Sequence, residues 1–332
     1  MQVSRRLMSV LLLTLIVVCS GARGAAIECD GKFKNGGKPL VAEIKRGVNL
    51  CGADLRGVQL PDADLRDINL RGADLSGADL RRARLHAALL DQANLSKADL
   101  RGTLLVGADL IKVNLQGARL AGADFSAADL RGALLREVDL RGAILIGTDL
   151  RGASLSKADL REVRMSGALL SKSDLTQARL EAAELDWAVL DNANLRGARL
   201  HSANLRNAQL SDADLRGADL SAVRLDDAVL EHAQLASADL SGAHLYRAQM
   251  HGAALIGAKL VGADASFADL SEAMLMQADL SHANLLNTEL RGADLTDVIL
   301  TGTKLEQALH APLDPTPNVG DPFKRPDPFA PK

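Results

Sequence analysis

The chain has 332 residues, of which 24% are charged, and its formal net charge at neutral pH is −3. A charge this mild over a long chain does not favour strong electrostatic steering toward nucleic acid or toward basic partners. Aromatic residues make up 2% of the sequence although 47% of it is hydrophobic. The core is therefore expected to consist of aliphatic and small side chains.

Residues 1–26 have the features of a secretory signal peptide. Arg5 and Arg6 precede an apolar run over 10–18, and small residues follow as far as Ala26. The apolar run is too short for a convincing transmembrane span. We expect export to a bacterial periplasm or out of the cell, with no transmembrane segment left after cleavage behind Gly24 or Ala26.

Two other readings of this segment stay open. Ser4, Arg5 and Arg6 suggest twin-arginine export, but no strong motif follows them. Cys19 suggests a lipid anchor, which is disfavoured because Val18 stands where a small residue is expected. Loss of Arg5, Arg6 and Arg23 with the signal would change the formal net charge from −3 to −6.

Residues 27–46 come before the repeat and are predicted to form an N-terminal cap. A solenoid needs caps because the open strand edges at its ends invite aggregation. Cys29 and Cys51 would be an even pair of cysteines in an oxidising compartment, which favours a disulfide. We predict that this bridge fastens the cap, the alternative being two unpaired buried cysteines.

From Leu50 to Leu305 a large apolar residue or a close substitute stands at every fifth position. Of these 52 core positions, all are leucine except Phe125, Met165, Met250 and Ala265. The residue two places earlier is alanine in 39 of the 52 repeats, and every glycine in this region lies two places after a core position. A helix or a flat strand cannot bury a period of five on one face, so the chain must turn once per repeat. Glycine tolerates the positive φ that such turns often need.

The runs 53–57 and 73–77, Ala-Asp-Leu-Arg-Gly and Ala-Asp-Leu-Ser-Gly, resemble the pentapeptide-repeat family. The resemblance covers about residues 46–310. It implies an all-β fold, a right-handed quadrilateral parallel β-helix with four pentapeptides per coil over 47–310. That makes about 13 coils, or a rod about 60 Å long at roughly 4.8 Å per coil.

Residues 311–332 contain seven prolines and are predicted to be a disordered tail. Within them, 321–323 and 327–329 both read Asp-Pro-Phe, which is either a short recognition element or part of a solvated tail.

The residues that flank each inward leucine must point outward. Residues twenty apart should stack on consecutive coils, so Asp79, Asp99, Asp139 and Asp159 form one column beside Arg81, Arg101, Arg141 and Arg161. We expect the two columns to neutralise each other.

Outward apolar residues are the candidate partner surface, because a contiguous exposed apolar patch usually marks an interface. They become more frequent toward the C-terminal coils, although they are distributed over more than one side. The candidates are Trp187, Tyr246, Ile256, Val261, Phe267, Met274, Met276 and Leu286.

No catalytic residue, cofactor or metal is expected, because a filled coil lacks a concave site with convergent polar groups. Glu231, His232 and His251 are the one suggestive constellation, and they are expected to be ordinary surface residues. The glycines follow the turns and never form a phosphate-binding loop.

The sequence thus favours an exported, non-enzymatic scaffold that binds an unidentified protein partner, or a second copy of itself through the C-terminal coils. No nucleic acid is expected as a partner. The resemblance also implies an alternative, a DNA-mimicking modulator of a DNA-handling enzyme such as gyrase. The signal peptide and the mixed charge disfavour that alternative.

Overall fold

The computed structural model describes residues 44–308. The predicted signal peptide, the proline-rich tail and all but the last three residues of the predicted cap lie outside this range. Ile44, from those last three residues, is buried and belongs to the same hydrophobic core as the repeats.

Parallel β-bridges recur at every fifth residue from Asn49 to Lys304. Each bridge joins a residue to the one twenty places later, as Asn49 joins Asn69 and Asn284 joins Lys304. A register of twenty residues means that four pentapeptides complete one coil. The described chain is therefore a four-sided parallel β-helix, as the resemblance to the pentapeptide-repeat family implies.

The sides of this helix are single bridge residues between two corners, and no longer strand or helix occurs in residues 44–308. The sequence predicts short extended segments, and the structure is shorter still because a turn follows every three residues. Each repeat donates three backbone hydrogen bonds to neighbouring coils and one across its own corner. Around Leu75 these run from Asp74 to Ala53, from Leu75 to Asn94, from Gly77 to Ser96 and from Ala78 to Leu75.

The core is a continuous column of the period-five leucines and the small residues two places before them. Phe125 replaces leucine in this column and is fully buried, with 0% of its surface exposed. Threonines at the small-residue position are buried as well, and their hydroxyls donate to carbonyls of the preceding coil. Thr103 donates to Leu80 at 2.7 Å and Thr148 donates to Phe125 at 2.8 Å. These bonds satisfy polar groups that would otherwise be costly to bury.

Every corner has a residue with positive φ two places after the core position, from Gly47 to Gln307. Glycine occupies 22 of these positions, but 31 carry other residues with φ between 53° and 61°. This conformation costs an L-residue about 1–2 kcal/mol. The glycine pattern predicts the corner correctly, and the repeated hydrogen bonds between coils impose it where glycine is absent.

Gly252 combines this backbone requirement with a close neighbour. A Cβ atom at Gly252 would lie 2.5 Å from His232 Nδ1, whereas one at Gly257 would meet only Ser237 Oγ at 4.0 Å. We expect Gly257→Ala to lower the free energy of unfolding by about 1 kcal/mol through backbone strain alone. Gly252→Ala should cost about 1 kcal/mol more, because the His232 ring must leave its place. Chemical denaturation of the two variants measures the difference.

The His232→Ala background is the control for this comparison. Without the imidazole, the two glycine substitutions should become equally costly, because both positions then have the same positive φ and no close neighbour. A difference that persists in that background would contradict the steric explanation.

Candidate interaction surface

Aspartate and arginine on either side of a core leucine form ion pairs along the rod. The Arg81 guanidinium donates from Nε to Asp79 Oδ1 at 2.8 Å and from Nη2 to Oδ2 at 2.7 Å. The same bidentate contact joins Arg101 to Asp99, Arg141 to Asp139 and Arg161 to Asp159. The predicted neutralisation of the two columns is confirmed, and it occurs within each repeat.

These contacts lower the pKa of the aspartates. The hydrogen bond from Arg141 is the largest cause of the lowered pKa of Asp139, and Arg161 acts in the same way on Asp159. A lowered pKa in the folded state means that the ionised carboxylate stabilises the fold. The carboxylates and guanidinium groups are partly exposed, so each pair contributes little by itself.

We expect stability to fall in acid because of these pairs. The unfolded pKa of an aspartate is about 3.9, and the folded pKa lies below it. The stabilisation is therefore complete above about pH 4 and is lost as the pH falls through the folded pKa. Thermal unfolding followed by circular dichroism between neutral and acidic pH should show this decline. The Asp139→Asn, Arg141→Gln double variant should decline less steeply, and an unchanged profile would contradict the assignment.

The outward apolar residues differ in how far they reach into solvent. Trp187 is 59% exposed, Phe267 is 50% exposed, and Tyr246 and Met274 are about 40% exposed. The other predicted candidates, Ile256, Val261, Met276 and Leu286, are only half-buried.

Tyr246 and Phe267 form an aromatic pair at one corner of the rod. Their ring centroids are 5.6 Å apart and the rings meet edge to face at 70°. Trp187 has the same position in its repeat as Phe267 and therefore stands on the same corner, four coils away along the column. Between them the column carries the ion pair of Arg247 and Asp227, with 3.2 Å between Nε and Oδ1. We call the pair of Tyr246 and Phe267 the aromatic corner.

Of the other apolar candidates, Leu286 lies at the aromatic corner, where its carbonyl accepts the backbone N–H of Phe267 at 2.9 Å, and the rest lie elsewhere on the rod. Met274 belongs to the bridge column of Ala254 and Asp294, which runs along a different side from the aromatic corner. Ile256 and Met276 follow the leucines of that side, and Val261 follows a leucine of the next side. The structure thus divides the candidates among several sides and does not gather them into one patch.

Three further apolar residues are as exposed as the predicted ones. Leu134 is 40%, Ile146 37% and Ile299 50% exposed. All three stand next to a core leucine, so the rule that outward positions flank the period-five residue identifies them too. A prediction that concentrates on the C-terminal coils misses Leu134 and Ile146.

Cys51 is buried at the start of the repeat and is disulfide-bonded. Cys29 lies outside the described residues, so its assignment as the partner of Cys51 stays a prediction. Asn49 Oδ1 accepts the backbone N–H of Cys51 at 3.1 Å, which holds the corner that carries the sulfur.

His251 contacts one other member of the predicted constellation, His232, and a serine of the next coil. His251 Nδ1 lies 3.0 Å from Ser271 Oγ, and its ring meets that of His232 edge to face at 5.5 Å. Residues 44–308 contain no group of three or more histidine, cysteine, aspartate or glutamate side chains placed to hold a metal ion. In the same range there is no helix with the length and apolar character of a membrane span.

The sequence matches a family model described as pentapeptide repeats in eight copies. The matched segments are 46–72, 68–105, 88–126, 103–142, 133–171, 183–221, 224–260, 248–275 and 273–309. No curated protein matches the chain.

Several solved structures are similar to the chain. HetL from the cyanobacterium Nostoc sp. strain PCC 7120, a pentapeptide repeat protein involved in heterocyst differentiation regulation, is 33% identical. That match covers 77% of this chain and 90% of HetL, with a TM-score of 0.26. A trypsin-treated variant of QnrB1, a plasmid-mediated fluoroquinolone resistance protein, is 23% identical over 49% of this chain and 82% of its own, with a TM-score of 0.38. AT2G44920 from the thylakoid lumen of Arabidopsis thaliana is 31% identical over 40% of this chain and 77% of its own, with a TM-score of 0.23.

The family model accounts for most of residues 46–309, and the described part of the chain is a coil that turns once in every five-residue repeat. The chain belongs to the pentapeptide-repeat family, and its fold is the right-handed β-helix of that family.

Proposed function

We propose that this protein is an exported, non-enzymatic rod that presents an elongated surface to a protein partner. The observation that carries the proposal is the aromatic corner. Tyr246 and Phe267 keep 40% and 50% of their surface in solvent, at corner positions that point away from the core. Aromatic residues are enriched at the buried centres of protein interfaces.

The interior supports a non-enzymatic role. Leucine and small residues fill the coil along the described length, with their exposed fractions at or near zero. Catalysis by side chains needs convergent polar groups in a concave site. The corners and bridges of this rod instead direct polar side chains outward, onto the solvent-facing sides of the coil.

Export is the other half of the proposal. Arg5, Arg6 and the apolar run over 10–18 are typical of a signal peptide, and they would deliver the rod to a bacterial periplasm or to the outside. There the cap over 27–46, fastened by Cys29 and Cys51, and the tail over 311–332 would flank a rod of about 13 coils over 47–310.

The aromatic corner gives a direct test of the interaction surface. Tyr246→Ser with Phe267→Ser should weaken association with a partner or a second copy by about tenfold or more, because truncation of a central interface residue often costs 2 kcal/mol or more. Light scattering over a concentration series measures self-association. Capture from the exported fraction measures partner binding.

Ile256→Ser with Met276→Ser is the matched control, since it also removes two apolar side chains from the C-terminal coils but on a different side. If both double variants weaken association equally, the corner is not the specific surface. If neither changes mass or capture, the proposed surface is wrong. The N-terminus of the captured protein, read by mass spectrometry, tests export in the same experiment, because a mature chain beginning at 25 or 27 is expected.

Mimicry of DNA by an acidic surface is the alternative function. It needs carboxylates that stay unneutralised along the rod, whereas Asp79, Asp99 and Asp139 each accept two hydrogen bonds from an arginine side chain. The ion pairs thus favour the interaction scaffold over the DNA mimic.

A further inference from the structure

A shallow open groove of about 520 Å³ lies across one corner in the middle of the rod. Lys157, Gln177, Arg179, Gly197 and Arg199 line it. Three of these five residues are cationic and none is acidic, which sets the groove apart from the neutralised columns on either side.

The two arginines of the groove face each other on adjacent coils. Arg179 and Arg199 are directly opposite in the bridge ladder, and among the bridges of residues 49–304 this is the one that joins two arginine or lysine residues. Like charges directly opposite each other are destabilising. Elsewhere in that ladder, arginines stand opposite carboxylates, as Arg119 does between Asp99 and Asp139.

The cations of the groove are poorly neutralised by the protein. Within residues 44–308, Arg199 and Lys157 take part in no ion pair. Arg179 approaches Glu181 at 3.5 Å and Asp159 at 3.8 Å, but Arg161 already holds Asp159 at 2.6 Å. The Nε atom of Arg179 is buried without a hydrogen-bond partner in the described structure. This Nε is the atom that lies 3.5 Å from Glu181, so the positive charge that the described structure leaves without an ion pair is that of Arg199 and Lys157.

The corner that leads into the groove adds a further cation. Arg196 follows Asn194, whereas the arginines of neutralised repeats follow an aspartate at that position. Asn194 Oδ1 accepts only the backbone N–H of Arg196, at 3.2 Å. A neutral amide thus replaces the carboxylate that would have paired with this guanidinium.

The size of the cationic region limits its ligand. Along the ladder, Asp159 precedes Arg179 and Asp219 follows Arg199, so the region extends over two coils, about 10 Å. A long regular polyanion such as a nucleic acid backbone would meet these aspartates on either side. Two or three neighbouring carboxylates fit the region, and guanidinium groups bind carboxylates through paired hydrogen bonds.

We infer that this groove binds a short acidic segment of a protein partner, its carboxylates lying between Arg179, Arg199 and Lys157. The inference rests on the proposed function, and it assigns to that rod a second contact surface apart from the aromatic corner. The bound carboxylates would relieve the repulsion between the two stacked arginines.

Fluorescence anisotropy with the full chain tests the groove. A labelled oligoglutamate peptide should bind, and an oligoglutamine peptide of the same length should not. Arg179→Gln with Arg199→Gln should weaken oligoglutamate binding by about tenfold or more, because charge-assisted contacts are lost. Arg199→Gln alone should weaken it measurably, and that variant leaves every ion pair of the described chain intact.

Arg81→Gln with Arg101→Gln is the matched control, with the same change of charge on the same side of the rod but at arginines already paired with aspartates. It should keep oligoglutamate affinity within about twofold. Equal weakening in both double variants would show general charge attraction and overturn the inference. Tighter binding of inorganic phosphate or of single-stranded DNA than of oligoglutamate would overturn the assignment to a protein segment.

The outcome is separable from that of the proposed function. A captured partner that still binds the Arg179→Gln, Arg199→Gln variant but not the Tyr246→Ser, Phe267→Ser variant would overturn the groove and leave the interaction scaffold standing. If oligoglutamate binds as expected while the Tyr246→Ser, Phe267→Ser variant keeps its partner capture and its self-association, the groove stands and the aromatic corner fails as the interaction surface.

Discussion

Phe125→Ala should lower the free energy of unfolding by about 3–5 kcal/mol, among the largest effects of any single truncation in this chain. Phe125 is fully buried and is the largest side chain in the core. Its backbone contacts, from Thr148 Oγ1 to Phe125 O and from Phe125 N to Ile144 O, do not depend on the ring. The loss therefore measures the ring's burial and the cavity left behind. Chemical denaturation followed by circular dichroism gives the value.

Phe125→Leu is the control for that measurement. Leucine fills this position in 48 of the 52 repeats, so the coil accommodates it, and the cost should be about 1 kcal/mol, on the scale of one or two methylene groups. A loss below about 1 kcal/mol for Phe125→Ala would mean that neighbouring leucines close the space. The interior would then be looser than its near-zero exposure indicates.

The core is predictable from the sequence because it follows from one period, and the register of twenty is what the family resemblance implies. Leucines five residues apart can all face one core only if the chain turns in each repeat. The bridges at intervals of twenty agree with four repeats per coil. The burial of Thr103 and Thr148 is predictable in the same way. Their hydrogen bonds to carbonyls 23 residues earlier are not, because the donor's direction depends on the stacking of two coils.

The candidate surfaces are less predictable because they depend on neighbours that are distant in sequence. The aromatic corner needs Tyr246 and Phe267 to meet across adjacent coils, and spacing alone gives the corner but not the contact. The cationic groove is even harder to predict from the sequence. Arg179 and Arg199 look like other outward arginines until the missing carboxylates around them are known. Comparison of residues twenty apart in the sequence can detect two stacked arginines. It cannot show that Asp159 already forms an ion pair with Arg161.

Deletions should separate the five-residue period from the identity of the residues that carry it. Removal of Asp214 alone should destabilise the rod far more than removal of all five residues 211–215. The longer deletion joins Leu210 to Arg216 and keeps the phase of every later leucine. It shifts the outward columns by one side and breaks contacts between coils, such as Arg206 with Asp226 at 2.7 Å. Exposed pairs of that kind contribute about 0–1 kcal/mol.

The deletion of Asp214 alone cannot keep the phase of the later leucines. Without Asp214, Ala213 and Leu215 become adjacent, and adjacent residues of an extended segment cannot both face the core. The two inter-coil hydrogen bonds of Asp214, to Ala193 and from Leu195, are lost as well. Exposure of a leucine costs about 1.5–3 kcal/mol and each lost bond about 0.5–1.5 kcal/mol. The defect stays local because a shift of all later repeats would turn every following leucine outward.

Chemical denaturation and limited proteolysis distinguish the two deletions. The Asp214 deletion should lose about 3–6 kcal/mol, from the burial and hydrogen-bond terms above, and it should gain a cleavage site between Leu210 and Arg216. The 211–215 deletion should unfold at nearly the denaturant concentration of the intact chain and stay resistant there. If the longer deletion is the more damaging one, the later repeats depend on their particular neighbours twenty residues away, and the period alone does not hold the rod together.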